Sequence, residues 1–285
     1  MTSATPPPQR LSASGQVVDR LAQLPWWALL ILLAGVLLTF QILTNEVYAS
    51  ILTRLAQGIG MTIFATLSAY VLAILIGLVA GLGRVSKNPV LYNLSTAYVQ
   101  VIRGVPILVQ LLYFAFVVVP AGAAFLGWIG QVLVPVLGPD NFLAQITPQS
   151  MRQEVRVIVS LAIAYGGFEA ETFRAGIESI GRGQMEAARS LGMTYPQAMR
   201  YVILPQAIRR ILPPLGNDLI SMLKDSSLFS VLGLNDITNQ ARLYVAASFR
   251  YLETYTVLAF LYLSLTLVLS LFTKWLETRL GKFGS

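Results

Sequence analysis

Long apolar runs alternate with short, mostly basic segments along the whole chain, and the period of the alternation is that of a bilayer. Leu24 to Leu43 is a run of 20 uncharged residues opened by Trp26-Trp27. A helix of that length crosses about 30 Å of hydrocarbon, with aromatic side chains at the interface. Arg54 and Arg84 bracket 29 uncharged residues with glycines at 58, 60, 77, 81 and 83, small residues that let helices approach closely in lipid. Leu91 to Val119 forms a third run, interrupted by Arg103-Gly104-Val105-Pro106. Residues 120 to 154 read as a Gly/Pro-rich linker whose apolar middle, Phe125 to Leu137, suits an interfacial or re-entrant piece. Val157 to Ile177 is a fourth span, uncharged as far as Phe168. Leu215 to Leu234, opened by Pro213-Pro214 in a first helical turn, is a fifth, and Thr254 to Thr273 a sixth. The pattern predicts an all-α, polytopic integral membrane protein with six transmembrane helices.

Composition narrows the chemistry. Hydrophobic residues make up 55% of the 285 and charged residues 12%, against about 25% charged in soluble domains. Cysteine and histidine are absent, which removes thiol nucleophiles, disulfides and the commonest zinc ligands and general bases. The net charge of +7 could suggest nucleic acid, but the basic residues lie between apolar runs and form no single basic face, so no nucleic-acid partner is expected. Topology accounts for them better. Of 20 Lys and Arg residues, 13 fall in the two tails, the 84–87 turn and residues 174–210, and 5 in the opposite loops, which predicts that both termini are cytoplasmic. Residues 1–23, rich in Pro, Ser and Gln, are expected to be a disordered tail, and Lys274 to Arg279 a basic amphipathic end. Val47-Tyr48-Ala49 loosely suits a signal-peptidase site, but the preceding apolar run exceeds the usual length of about 7 to 15 residues.

Ionisable residues inside spans are costly and mark candidate function. Lys224-Asp225-Ser226-Ser227 is expected in the middle of span five, as a polar pair that either stabilises helix packing or meets the charged groups of a zwitterion. Arg103 and Pro106 interrupt span three as a proline kink with a snorkelling arginine, or as a broken helix lining a cavity. Glu169 lies near the cytoplasmic end of span four, where Glu171 and Arg174, three apart, suit a structural ion pair. Between spans four and five a polar loop reads as two short helices, ending and restarting around Gly192, with Thr194 to Gln197 as the capping box of the second.

In that loop Glu186, Ala187 and Ala188, then Gly192, then Val202, Leu204 and Pro205 stand at fixed spacing, which resembles the cytoplasmic coupling loop of the membrane subunits of bacterial ABC importers, with Val202 in place of the usual isoleucine. The segments Arg103–Gln110, Ala170–Ile177, Pro213–Asp218 and Leu223–Leu228 are similar to the branch that imports polar amino acids of the histidine, glutamine, glutamate and arginine type. Val105 for threonine, Phe168 where tyrosine is frequent, the extra span at 24–43 and the long linker depart from that pattern. The resemblance implies a five-helix permease core over 55–280 with a coupling loop at 178–209, preceded by an extra helix and external loop at 24–54 and followed by a tail at 281–285. It implies a multi-pass protein of the bacterial cytoplasmic membrane, with lipid, a cytoplasmic ATPase, a second permease chain (identical or paralogous) and an extracytoplasmic amino-acid-binding protein as partners. Glu186, Ala187, Ala188, Gly192, Leu204 and Pro205 would serve ATPase coupling. Lys224, Asp225, Ser226, Ser227, Arg103, Pro106 and Glu169 would line the substrate path. No cofactor is expected in this chain, which lacks G-x-x-x-x-G-K-[ST]; ATP and Mg would belong to the partner ATPase. A permease for an opine, cystine or another small polar solute is the alternative. An ion-coupled secondary transporter, for which no internal repeat is evident, and a non-transport assembly subunit are more distant ones.

Overall fold

The computed structural model describes residues 26–138 and 140–281, so the 1–23 tail and residues 282–285 lie outside the described residues. What is described is helical, with no strand. It divides into two units between Ala49 and Ser50. The first contains α1 (Trp26–Thr44), apolar on every side, whose Thr39 and Thr44 hydroxyls donate back to the carbonyls of Gly35 and Phe40 at 2.8 Å. α2 (Glu46–Ala56) follows after Asn45 and buries Ile51 and Leu55.

The second unit is built on α3 (Ile59–Val85) and α6 (Gln153–Glu178), which run side by side in the same direction. Small residues recur every four positions on α3, at Ala65, Ala69, Ala73, Gly77 and Gly81, which places them on one helical stripe. The alanines pack with Val157, Leu161 and Tyr165 of α6 and with Met222 and Phe229. Further along, a Cβ at Gly77 would overlap the Cβ of Glu169, and one at Gly81 would lie 2.8 Å from the Cβ of Phe173 and 2.9 Å from the carbonyl of Ala170. The two backbones therefore touch through glycine, as helices do when there is no hydrophobic drive in lipid to bring them together.

The third expected span is not one helix. α4 (Pro89–Gly104) starts at Asn88, whose side chain accepts from the amides of Val90 at 2.9 Å and Leu91 at 3.4 Å. It stops at Val105, held extended (φ −110°, ψ 138°) ahead of Pro106 as pre-proline sterics demand. The carbonyls freed at this break are not left bare: the buried Gln110 side chain donates to those of Ile102 and Val105, 2.6 Å each. α5 (Ile107–Val132) then continues through a wide π turn at Phe114–Val118 into residues that read as linker. Gly127 and Gly130, taken there as breakers, are contact points, because the backbone of Leu143, Ala144 and Ile146 returns against them and leaves no room for a Cβ. Asn141 fixes that return, accepting from the amide of Ala144 at 2.9 Å and donating to the carbonyls of Gly138 at 2.8 Å and Gly130 at 3.2 Å.

After α6 come α7 (Arg182–Ser190), a one-turn helix at Tyr195–Ala198, a π turn at Met199–Ile203 and α8 (Leu204–Asp225). Pro213 and Pro214 lie inside α8 and do not open it. The residue that occupies the first helical turn is Pro205. The internal pair deprives the carbonyls of Arg209 and Arg210 of their amide partners, at residues exposed on the surface, where the loss is least costly. α9 (Ile237–Ser248), which the apolar pattern did not reveal, is capped by Asp236 and leads to α10 (Tyr251–Gly281), which takes the expected sixth span and the basic end into one helix. Among the described residues, Glu46–Val85, Ile107–Val132 and Tyr251–Arg279 are long and apolar enough to cross a membrane, and Leu29–Thr44 is a shorter apolar helix.

Candidate functional site

Two places gather the candidate residues. The first is the α7 region. Ile180, Ile203, Ala207 and Ile211 form a buried cluster with Phe173, Ile177, Met185 and Met199 around them, so α7 is pinned to the end of α6 and to the start of α8. Arg210 Nη1 donates to the Ser179 carbonyl at 2.6 Å across the same junction. α7 ends because Gly192 is left-handed (φ +85°), with its amide on Arg189 O at 3.0 Å and that of Met193 on Ala188 O at 3.2 Å. The chain restarts at Thr194, whose amide donates to Gln197 Oε1 at 2.8 Å in the capping box. Within this frame Ala188 is buried (3%), whereas Glu186, Ala187, Gly192, Leu204 and Pro205 are exposed. Leu191 (81%), Tyr195 and Tyr201 in the same loop are also exposed.

The second place is the far end of α8. Lys224, Asp225, Ser226 and Ser227 do not sit mid-helix, because the α-helix ends at Asp225 and tightens into a 3₁₀ segment, Ser226–Leu232. The serines cause this: Ser226 Oγ donates to Leu223 O at 2.7 Å and Ser230 Oγ to Ser227 O at 2.9 Å, each engaging a carbonyl three residues back. Lys224 and Asp225 part company. Lys224 is exposed and forms no ion pair among the described residues, while half-buried Asp225 accepts from the hydroxyl of Tyr165 at 2.7 Å. Tyr165 was not singled out from the sequence, though it lies four residues before Glu169 on the same face of α6.

Glu169 itself is fully buried (0%) against α3, and both carboxylate oxygens lack a hydrogen-bond partner. Around it Tyr70 donates to Leu215 O at 2.7 Å, and Thr172 Oγ1 donates to Asp218 Oδ2 at 3.4 Å. Arg103 joins neither place. Its Nη1 lies 3.9 Å from Glu171 Oε2, and Glu171 is also bridged by Arg84 and Arg174, with Arg174 reaching Glu178 in turn. One carboxylate thus ties the ends of α3, α4 and α6 together, where only the Glu171–Arg174 pair was legible. Pro106 marks the α4–α5 break beside it. Glu171→Gln should cost about 1–3 kcal/mol, as expected on removing a charged hydrogen-bond partner from Arg84 and Arg174, and should lower the melting temperature of the purified chain in detergent. An unchanged melt would mean that the arginines are adequately solvated without it.

Comparison with known proteins bears on the fold and the family. Residues 73–282 match the family model described as binding-protein-dependent transport system inner membrane component. The probable amino-acid permease protein YxeN of Bacillus subtilis (strain 168) is 35% identical over 237 residues, 83% of this chain and 96% of that one. The glutamine transport system permease protein GlnP of Escherichia coli (strain K12) is 34% identical over 226 residues, 79% and 92% of the two chains. Among solved structures, an amino acid ABC transporter with histidines shares 35% identity at a TM-score of 0.65, covering 84% of this chain and 98% of that one. The MetNI methionine ABC transporter, at 21% identity and a TM-score of 0.59, shares the fold. The chain belongs to the binding-protein-dependent inner-membrane permeases, among the amino-acid ABC transporter permeases of that family.

Proposed function

We propose that this chain is the membrane-spanning subunit of an ATP-driven importer that moves a polar or charged amino acid across the cytoplasmic membrane by alternating access. A separate ATPase drives it through the loop at 183–205, and the chain itself carries no ATPase site, ATP and Mg belonging to that partner. The observation that carries this reading is the α7 region, a firmly anchored turn that leaves Glu186, Ala187 and the apolar Leu191 exposed while Ala188, Ile203 and Ala207 are buried. Such a surface suits rigid-body transmission from a docked partner. A second permease chain and an extracytoplasmic amino-acid-binding protein complete the assembly.

Six crossings follow if α1, α3, the α4–α5 pair, α6, α8 and α10 each span the bilayer, with both termini and α7 on the cytoplasmic side. The permease core is then 55–280 with the coupling loop at 178–209, and the segment at 24–54, where the expected external loop is instead mostly helix α2, is an addition to it. The amino acid passes the α8 end, where Asp225 and Ser227 with Lys224, which forms no ion pair among the described residues, offer opposite charges and a hydroxyl to a zwitterion. Glu169, Arg103 and Pro106 flank the path, Glu169 shut inside the bundle in the present conformation.

Purification of the tagged chain in mild detergent, with mass spectrometry of what accompanies it, tests the assembly. An ATPase at one copy per permease supports it, and a chain that stays alone even after crosslinking in intact cells overturns it. Tyr165→Phe tests the path. It removes the one hydroxyl held against Asp225, and uptake should fall about tenfold, the worth of a hydrogen bond to a charged group, with the complex still assembled. Unchanged uptake would place the amino acid elsewhere.

A further inference from the structure

A second polar opening lies at the other end of α6, away from α7. A cavity of about 280 Å³ opens there, lined by Ala115 and Phe116 of the α5 π turn, by Met151, Gln153, Arg156 and Val157 around the start of α6, and by Leu232 at the end of the 3₁₀ segment. Both departures from regular helix in this part of the bundle border it, and a wide turn inside a helix commonly marks a functional site. Among the described residues, Arg156 is the ionisable one in its lining. One Nη donates to the Pro148 carbonyl, but Nε is cut off from solvent and has no partner. Neighbouring Arg152 is paired with Glu154, Nε to Oε2 at 3.3 Å, whereas no carboxylate among the described residues reaches Arg156. The Gln153 side chain, also in the lining, donates to Leu232 O. A half-buried guanidinium that lines a small opening, with no carboxylate beside it among the described residues, is a place for an anion.

We propose that this cavity is a way station for the carboxylate of the transported amino acid, held by Arg156 before it reaches the α8 end. The volume argues for a small occupant: it falls just below the roughly 300 Å³ at which clefts for drug-sized ligands begin, so it takes a free amino acid and little more. The lining argues for recognition through the carboxylate alone, since Ala115, Phe116, Val157 and Leu232 tolerate varied side chains and Arg156 supplies the one fixed charge. This inference rests on the importer reading, which makes this end of α6 the extracytoplasmic one, where the binding protein releases its load.

The test uses the complete complex in nanodiscs or proteoliposomes, with its ATPase and second permease. Uptake with the binding protein present, measured over a panel of radiolabelled L-amino acids beginning with glutamine, identifies the carried one. Direct binding of that amino acid to the complex without the binding protein is then measured by scintillation proximity. Arg156→Gln should weaken binding about tenfold, as loss of one charge-assisted hydrogen bond does, and Arg156→Lys by less. The α-carboxamide of the same amino acid should fail to compete on the wild type. Binding by Arg156→Gln at wild-type affinity, or equal competition by the carboxamide, overturns the way station while leaving the importer reading intact. Wild-type complex that carries no amino acid of the panel overturns the importer reading itself. If Arg156→Gln fails to assemble, the Lys variant decides: binding indistinguishable from wild type together with competition by the carboxamide rules the site out.

Discussion

Gly192→Asp should abolish uptake and ATPase docking while the chain continues to reach the membrane in normal amount. The reason lies in the separation of what Gly192 does for the fold from what it offers a partner. Its φ of +85° is a conformation that costs other L-residues about 1–2 kcal/mol, too little to unfold a bundle held by the α3–α6 core. Nothing lies within 4 Å of the position of its Cβ, so an aspartate meets no clash inside the chain. It does meet whatever docks on the exposed residues of this loop, Glu186, Ala187, Leu191 and Gly192 among them, and it adds a second carboxylate to that loop. Gly192→Ala should keep partial uptake, because it carries the backbone cost without bulk or charge. Copurification of the ATPase with each variant is the measurement, and wild-type recovery with Gly192→Asp would remove the coupling role.

Gly77→Leu should have the larger structural effect and destroy the folded bundle. At this position a Cβ overlaps that of Glu169 and stands 3.0 Å from the Ala170 amide nitrogen, so even alanine would force the two backbones apart. Overpacking a tight core costs about 1–3 kcal/mol when side chains can yield, and here the obstacle includes main chain, so the cost exceeds that range. Gly60→Leu is the matched control: it lies on the same helix, is exposed and has nothing within 4 Å. Fluorescence-detected gel filtration of both variants after a heat step should give a normal peak for Gly60→Leu and an aggregated one for Gly77→Leu. A monodisperse Gly77→Leu would show that α3 and α6 are not in contact at this depth.

Much of this architecture could be read from the chain before any coordinates, and the misses share a cause. Gly192, Thr194 and Gln197 act locally, so their turn and cap were legible from residue type and spacing. The small-residue stripe on α3 was available in the same way, at a period of four, but only its glycines attracted notice. What failed were judgements on glycine and proline. Gly127 and Gly130 appear as breakers when the loop that packs on them is unknown, and Pro213-Pro214 appear as a helix start when Pro205 already occupies that position. Partners distant in sequence were also invisible. Tyr165 meets Asp225 across 60 residues, and Arg84 meets Glu171 across 87. Arg156 falls between the 120–154 linker and the span expected from Val157, and only the packing of the α5 wide turn near it gives it an opening to line.

The glycine contacts between α3 and α6 also divide the bundle mechanically. Each notch admits the opposing backbone at one height, so the two helices have no axial play and behave as a single stator. Both run without a break, over 27 and 26 residues. The joints are all elsewhere: the Val105–Pro106 gap, the wide turns at 114–118 and 199–203, the paired prolines of α8 and the 3₁₀ stretch after it. In the proposed importer these breaks put the yielding points of α4–α5 and α8 around a beam that keeps its length.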